Sequence, residues 1–163
     1  IKIIRNHIYS KENHGKKSDI GLLGENLSME FEYHKTGKLP EHSSFLDNNI
    51  GYDILSYFEN NRKRIEVKAS EYKKGYITWN EWCKAIESKK YDIPHEFHLW
   101  DLSKKDQTFL AVLDLSDLDF IPEKNELGHH FETYYINFEA FHKKFKRIDI
   151  SIKEQKNLNK KGA

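Results

Sequence analysis

Cysteine is almost absent from this sequence, since Cys83 is the only one among 163 residues. One thiol cannot form a disulfide within the chain, and it excludes a zinc site built from several cysteines. A chain without internal disulfides is typical of a reducing compartment, and we therefore expect a cytoplasmic protein.

Long apolar runs are also missing. No stretch approaches the roughly 18 residues of a membrane span, and no charged segment precedes a hydrophobic one as in a secretory signal. The sequence has no glycine-rich phosphate loop, so ATP hydrolysis is not expected. We therefore predict a soluble protein with no membrane partner.

An excess of charge of one sign is lacking as well, because 27 Lys and Arg against 26 Asp and Glu leave a net charge of +1. Any nucleic-acid partner must therefore be met by a local basic patch. Hydrophobic residues make up 37% of the chain, which is enough for one core at this length.

These bounds predict a single domain over residues 1–163. Its core is predicted at about 18–115, between an N-terminal arm at 1–17 and a C-terminal extension at 116–163. The chain begins with isoleucine, so we expect it to be part of a longer protein with further domains.

Two segments have the pattern of helices. In the first, Asp19 favours the first turn and Gly37 ends the helix. Its apolar stripe consists of Ile20, Leu23, Leu27, Phe31 and His34. In the second, Thr78 and Glu81 form a capping-box pattern that begins a helix running to about Lys90.

Two hairpins are also predicted. GYDILSYF and RKRIEVKAS are joined by ENNRK, and FHLWDLS and TFLAVLDLS are joined by SKKDQ. Further along, HHFETYYI predicts a strand, NFEAFHKKFK a helix and RIDISIKEQ a strand. The order predicts an α/β (mixed α+β) fold, with a central mixed sheet flanked by helices, additional strands and a C-terminal helix.

The strand IEVKAS, residues 65–70, holds an acid and a base on one face. Side chains alternate along a strand, so Glu66 and Lys68 project together. A solvated ion pair on an edge strand is one explanation. However, Asp53 lies on the preceding strand, so two carboxylates can converge with a lysine at one end of the sheet, as in a hydrolytic magnesium site.

Each of these residues has a predicted role. Asp53 and Glu66 would bind Mg²⁺, or Mn²⁺ as a substitute, together with the carbonyl oxygen of Val67. Lys68 would orient or help to deprotonate the attacking water and stabilise charge on a phosphate. Its alternative is a structural salt bridge to one of the two acids.

GYD followed by IEVKAS resembles the signature of the PD-(D/E)XK nuclease superfamily, with Tyr52 in place of proline before Asp53. Four motifs, GLLGENLSMEFE, GYDILS, IEVKAS and TWNEWCKA, together resemble the domain at the C-terminus of the plant protein NO VEIN, which recurs in bacterial restriction and defence proteins. This resemblance covers roughly residues 20–115 and implies a restriction-endonuclease-like core of order αββαβ. It further implies a magnesium-dependent endonuclease acting on DNA, with Glu25 of the helical G-x-x-GE motif completing the metal site.

Contacts with DNA are predicted near this site. Basic side chains would neutralise phosphates, and the first turn of the second helix would meet a phosphate, with Trp79 either stacking on a base or packing inside. The predicted contact residues are Lys16, Lys17, Lys73, Lys74, Trp79 and Asn80. Glu81 is explained structurally, as the partner of the Thr78 cap.

Two further expectations concern assembly and an alternative function. Cutting both DNA strands takes two active sites, so a homodimer is compatible with the predicted activity. The near-neutral charge is also compatible with a non-cleaving nucleic-acid-binding or protein-docking module on the same fold.

Overall fold

The computed structural model describes three segments of the chain, residues 19–43, 50–122 and 132–149. Two α-helices lie in these segments, α1 (Asp19–Thr36) and α2 (Trp79–Lys90), and both match the predicted positions. Gly37 follows α1 with a φ of 70°, the left-handed conformation in which glycine commonly ends a helix. Among the described residues, no helix combines the length and the apolar character that crossing a bilayer requires.

Eight strands lie in the described segments: β1 (Glu41–His42), β2 (Ile54–Phe58), β3 (Asn61–Ser70), β4 (Lys74–Thr78), β5 (His95–Lys104), β6 (Gln107–Leu113), β7 (Thr133–Asn137) and β8 (Lys146–Arg147). Six of them form one sheet in the order β1-β2-β3-β5-β6-β8, and β4 pairs with β7 in a separate ribbon. β3 runs antiparallel to β2 and parallel to β5. The predicted mixed sheet flanked by helices is therefore confirmed, and the signature strand β3 is central, so the edge-strand explanation was wrong.

The buried face of α1 differs from the predicted apolar stripe. Leu23 is 36% exposed and His34 is exposed, whereas Glu25, Ser28 and Glu32 are buried. The polar residues face the sheet because their side chains bond to polar groups there. Hydrophobic spacing therefore located the helix and part of its buried face, at Leu27 and Phe31, but missed the polar residues of that face.

Gly24 allows α1 to approach the central strand closely. A Cβ atom at this position would lie 2.5 Å from Cβ of Ala69 and 3.4 Å from Cγ1 of Val67, and the first contact is too short for any side chain. The absence of a side chain thus sets the distance between α1 and β3.

Two apolar clusters cover the two faces of the sheet. The cluster beneath α1 contains Leu27, Met29, Ile54, Ile65, Val67, Trp100 and Leu110. The cluster on the other face lies against α2 and the β4–β7 ribbon and includes Ile77, Trp82, Ala85, Phe97, Leu99, Leu113, Ile136 and Phe138. Because side chains alternate along β3, Ile65 and Val67 face α1, and Glu66 and Lys68 face α2.

Strand β4 was not predicted, and the C-terminal segment differs from its prediction. The predicted helix there is a four-residue 3-10 helix, Phe138–Phe141, capped by Asn137. The predicted extension after residue 116 supplies β7 to the ribbon and β8 to the main sheet. The predicted arm at residues 1–17 lies outside the described segments.

Candidate active site

The β2–β3 hairpin brings Asp53 and Glu66 together. The register that pairs Ile54 with Ile65 places Asp53 opposite Glu66. The backbone N–H of Asp53 donates to the carbonyl oxygen of Ile65 at 2.9 Å, and its Oδ2 accepts the N–H of Val67 at 2.8 Å. The aspartate is thus fixed beside the signature strand by two hydrogen bonds.

Lys68 lies between two carboxylates. Its Nζ is 2.7 Å from Oε1 of Glu66 and 2.8 Å from Oε2 of Glu81. The same oxygen of Glu81 accepts the backbone N–H of Thr78 at 2.8 Å, and the predicted capping box of α2 is confirmed. Glu81 therefore joins the start of α2 to the signature lysine, a contact that the capping pattern alone does not reveal.

We name Asp53, Glu66, Lys68 and Glu81 the α2-side cluster. Glu66 is 2% exposed, and its burial, followed by the charge of Asp53, raises its pKa well above the usual value, although Lys68 opposes this. Burial lowers the pKa of Lys68, but the carboxylates of Glu66 and Glu81 outweigh it and raise the pKa overall. These four side chains comprise three carboxyl groups and one ammonium group, so the acidic groups outnumber the basic ones within the cluster.

Val67 contributes through its backbone. Its side chain packs under α1, but its N–H points to the carboxylate of Asp53. The N–H and C=O of one strand residue point to the same edge, so the carbonyl oxygen of Val67 is directed toward that edge as well. Two carboxylates and a carbonyl oxygen are the donor set that Mg²⁺ accepts, so these residues fit the predicted ion.

Glu25 lies on α1, next to Gly24, which packs against Val67 and Ala69 of the signature strand β3. It is 3% exposed, and its carboxylate contacts Nε2 of His42. His42 pairs with Ile54, the residue after Asp53. The role of Glu25 as a metal ligand stays a prediction. No sequence pattern predicted a role for His42, because its contact with Glu25 depends on the pairing of β1 with β2.

The lysines predicted to contact DNA differ in their neighbours. Lys73 pairs with Glu139 at 2.7 Å, and Lys74 is exposed with its Nζ 6.0 Å from the ring centroid of Tyr72. Lys16 and Lys17 lie outside the described residues.

The two predicted DNA contacts in the first turn of α2, Trp79 and Asn80, differ in their exposure to solvent. Trp79 is half-buried and packs against the apolar cluster beneath α2, which favours the structural alternative for this ring. Asn80 is exposed.

A second ionic cluster, which sequence analysis missed, lies on the other face of β3. Lys63 Nζ is 3.0 Å from Oε2 of Glu32 and 2.9 Å from Oε2 of Glu96. Ser56 donates to Oε2 of Glu32 at 2.6 Å, and His98 Nε2 lies 3.4 Å from Oε2 of Glu96. We name Glu32, Lys63, Glu96 and His98 the α1-side cluster.

Hydrogen bonds extend this cluster into the apolar core. The indole of Trp100 donates to Oγ of Ser28 at 2.7 Å, and Oγ lies 3.0 Å from Nδ1 of His98. All three groups are satisfied when Ser28 donates to Nδ1, which leaves the proton of His98 on Nε2, toward Glu96. Burial raises the pKa of Glu96, but the hydrogen bond from His98 and the charge of Lys63 lower it overall to about 2.

Glu32, Glu96 and His98 could hold a metal ion, since within the described segments their ligand atoms lie within 4.8 Å of one another. The ammonium of Lys63 is already bonded to both carboxylates, and its side chain is 1% exposed. The cluster therefore contains its own cation. No sequence signal identified it, because its members come from α1, β3 and β5 and have no shared spacing.

The fold and these contacts define a mixed α/β domain whose central strand places an acid and a lysine against the capped start of a second helix. A family model described as Protein NO VEIN, C-terminal, matches residues 24–110, which is more than half of the chain. The chain belongs to this family, so that resemblance is confirmed. No curated protein and no solved structure matches the chain.

Proposed function

We propose that this protein is a metal-dependent endonuclease of the PD-(D/E)XK type that hydrolyses phosphodiester bonds in DNA. The α2-side cluster carries the proposal. It gathers two acids and the lysine of the signature on one face of β3, with more negative than positive charge. A bound divalent cation would balance that excess.

The chain's own residues supply defined parts of this mechanism. Asp53, Glu66 and the Val67 carbonyl would hold Mg²⁺ or Mn²⁺, with Glu25 as a further candidate ligand. The ion would lower the pKa of a bound water and neutralise charge on the phosphate. Lys68 is held as an ammonium between two carboxylates. We therefore assign it to orienting the water and stabilising the phosphate charge, and not to removing the proton.

We further propose that the domain is the cleavage module of a restriction or defence protein in the cytoplasm. The description of the family as the C-terminal part of Protein NO VEIN supports a module within a longer protein. Other domains of the parent protein would then select the target, and a homodimer would place two active sites on the two DNA strands.

Incubation of the purified chain with supercoiled plasmid and Mg²⁺ tests the proposal. Asp53→Ala and Lys68→Ala should each lower the nicking rate by about a thousandfold, because each removes a group that acts on the phosphate or the water. The matched controls are Asp106→Ala and Lys105→Ala, which change an exposed acid and an exposed lysine in the β5–β6 turn. Equal nicking by the wild type and both site variants would refute the assignment.

A second function is favoured by one observation. Asp53 already accepts the Val67 N–H, and Lys68 already pairs with Glu66 and Glu81, so the cluster is bonded without an ion. The same fold could therefore serve as a non-cleaving nucleic-acid-binding or protein-docking module. Calorimetric titration with Mg²⁺ or Mn²⁺ separates the two: an endonuclease should bind the ion and lose it in Asp53→Ala, whereas the docking module should show no binding in either chain.

A further inference from the structure

The β4–β7 ribbon has one buried and one exposed face. Its inward residues, Gly75, Ile77, Tyr134 and Ile136, alternate with outward residues along both strands. The outward cross-strand pairs are Lys74 with Asn137, Tyr76 with Tyr135, and Thr78 with Thr133. The outer face of the ribbon consists of these six residues.

Two tyrosine rings occupy the middle of this face. Tyr76 is 50% and Tyr135 is 51% exposed, and their ring centroids lie 5.8 Å apart. The exposed Tyr72 and Lys74 lie at one end of the ribbon. The face thus presents large flat side chains to solvent beside a positive charge.

The outer face itself carries one positive charge and no negative charge. None of its six side chains is acidic, in a chain with 26 Asp and Glu, and Lys74 adds one positive charge. Exposed tyrosines beside a cation match a ligand that combines flat rings with phosphates. A single nucleic-acid strand presents both, whereas a duplex keeps its base faces stacked inside.

The ribbon is joined directly to the candidate active site. A Cβ at Gly75, on the inner face, would lie 3.3 Å from Cβ of Lys68, so β4 packs on the stem of the signature lysine. β4 ends at Thr78, which caps α2 together with Glu81. A nucleic-acid strand bound on the outer face would therefore be separated from the α2-side cluster by the ribbon alone.

We propose that the outer face of the ribbon binds a single-stranded segment of nucleic acid, with bases stacked on Tyr76 and Tyr135 and a phosphate near Lys74. The choice of nucleic acid as the ligand rests on the proposed function. A purely structural role would require the two tyrosines only as a cross-strand pair that stabilises a two-stranded ribbon.

Fluorescence anisotropy with a labelled oligothymidylate, in EDTA to prevent cleavage, tests this proposal. Tyr76→Ala combined with Tyr135→Ala should weaken binding by about tenfold to a hundredfold, because two stacking surfaces are lost. Tyr76→Phe combined with Tyr135→Phe should bind as the wild type does, since both rings remain. Tyr91→Ala is the matched control, because this tyrosine is 60% exposed at the end of α2, away from the ribbon.

Unchanged affinity in a folded alanine double variant would overturn the proposal, and so would a loss of affinity for a hairpin duplex that exceeds the loss for the single strand. Plasmid cleavage is measured on the same proteins. If the wild type cleaves plasmid but the alanine double variant binds the oligonucleotide as well as the wild type does, the binding role of the ribbon is refuted and the endonuclease assignment stands. If binding depends on the two tyrosines but no protein cleaves plasmid, the binding role of the ribbon stands and the endonuclease assignment is refuted.

Discussion

The two faces of β3 each carry a buried ionic cluster, and the clusters differ in how their charges are balanced. On the α1 side, Lys63 bridges two carboxylates and, with His98, holds the pKa of Glu96 at about 2 despite burial. On the α2 side, Lys68 bonds to Glu66 and Glu81 beside Asp53, and burial together with the charge of Asp53 raises the pKa of Glu66. The carboxylates on the α1 side are therefore satisfied by a shared lysine and by hydrogen bonds, whereas the α2-side cluster has one more carboxylate for its single lysine.

The difference separates a structural role from a functional one. Buried charges stabilise a fold only when partners and hydrogen bonds satisfy them, and the α1-side cluster meets this condition. An excess of negative charge in a buried cluster costs free energy, and it is explained if the cluster binds a cation. Access agrees with this, because the side chain of Lys68 is 15% exposed and that of Lys63 is 1% exposed.

Removing each lysine is the strongest way to test the comparison. Lys63→Met should lower the free energy of unfolding by about 3–5 kcal/mol, since it leaves two buried carboxylates without their cation. Lys68→Met should cost clearly less stability, because the Lys68 side chain is closer to solvent, but it should lower the nicking rate by about a thousandfold. Urea denaturation followed by circular dichroism measures the first effect, and plasmid nicking measures the second. Equal losses of stability in the two variants would contradict the assigned roles.

Neutralising one glutamate on each face should change stability in opposite directions. Glu96→Gln should destabilise the protein by about 1–3 kcal/mol, because it breaks a charge-assisted bond in a satisfied network. Glu66→Gln should stabilise it by about 1 kcal/mol in EDTA at pH 7, because the buried charge that it removes is poorly compensated. Thermal unfolding of both variants and the wild type measures the direction of each stability change. A loss of stability in Glu66→Gln would show that Lys68 already compensates the charge of Glu66.

The pH dependence of stability should differ in the same way. The folded pKa of Glu96 lies below its ordinary value of 4.5, so its contribution is complete above pH 4.5 and is lost as the pH falls toward about 2. Glu96→Gln should therefore flatten the acid limb of the stability profile in this window. The folded pKa of Glu66 is raised, so its protonation on acidification does not destabilise the folded state. Glu66→Gln should therefore not flatten the acid limb of the stability profile.

Local signals predicted much of the fold and part of the site. The capping box at Thr78 and Glu81, the hairpin turn ENNRK and the alternation of IEVKAS each act within a few residues, and the structure contains the elements that they predict. The short strand β4 carried no such signal, because its pairing with β7 joins segments far apart in the chain. Sequence spacing could not place these partners together.

The α1-side cluster was missed for a related reason. Glu32 and His98 are polar residues of the kind that sequence patterns assign to the surface. Packing of α1 on the sheet buries Glu32 against Lys63, and the parallel pairing of β3 with β5 brings His98 to the same place. Hydrophobic periodicity treats buried polar side chains as exposed, so on α1 it identified Leu27 and Phe31 but missed the polar part of the buried face. The signature acids were found because their spacing is itself the signal.

Glu81 offers the finest test of the comparison, because it supplies a carboxylate beyond the two of the signature. Glu81→Gln can still accept the Thr78 N–H through its amide oxygen, so α2 should remain capped, and stability should fall by only about 1 kcal/mol as the bond from Lys68 loses its charge. The charge beside Lys68 is lost, and the ammonium is held less firmly. We expect nicking to slow by about tenfold with little change in the affinity for DNA, since the lysine acts on the reacting groups and not on the bound strand.

Asp117→Asn is the matched control, because Asp117 also accepts a backbone N–H in a capping box, from Asp114, and pairs with a lysine, Lys144, at 2.8 Å. The two substitutions remove the same chemical group from the same local motif, but only Glu81 contacts the α2-side cluster. If both variants keep the wild-type rate, Glu81 is a helix cap and nothing more, and the negative excess of the cluster is reduced to the signature acids. If Glu81→Gln alone slows nicking, the carboxylate that begins α2 also positions Lys68.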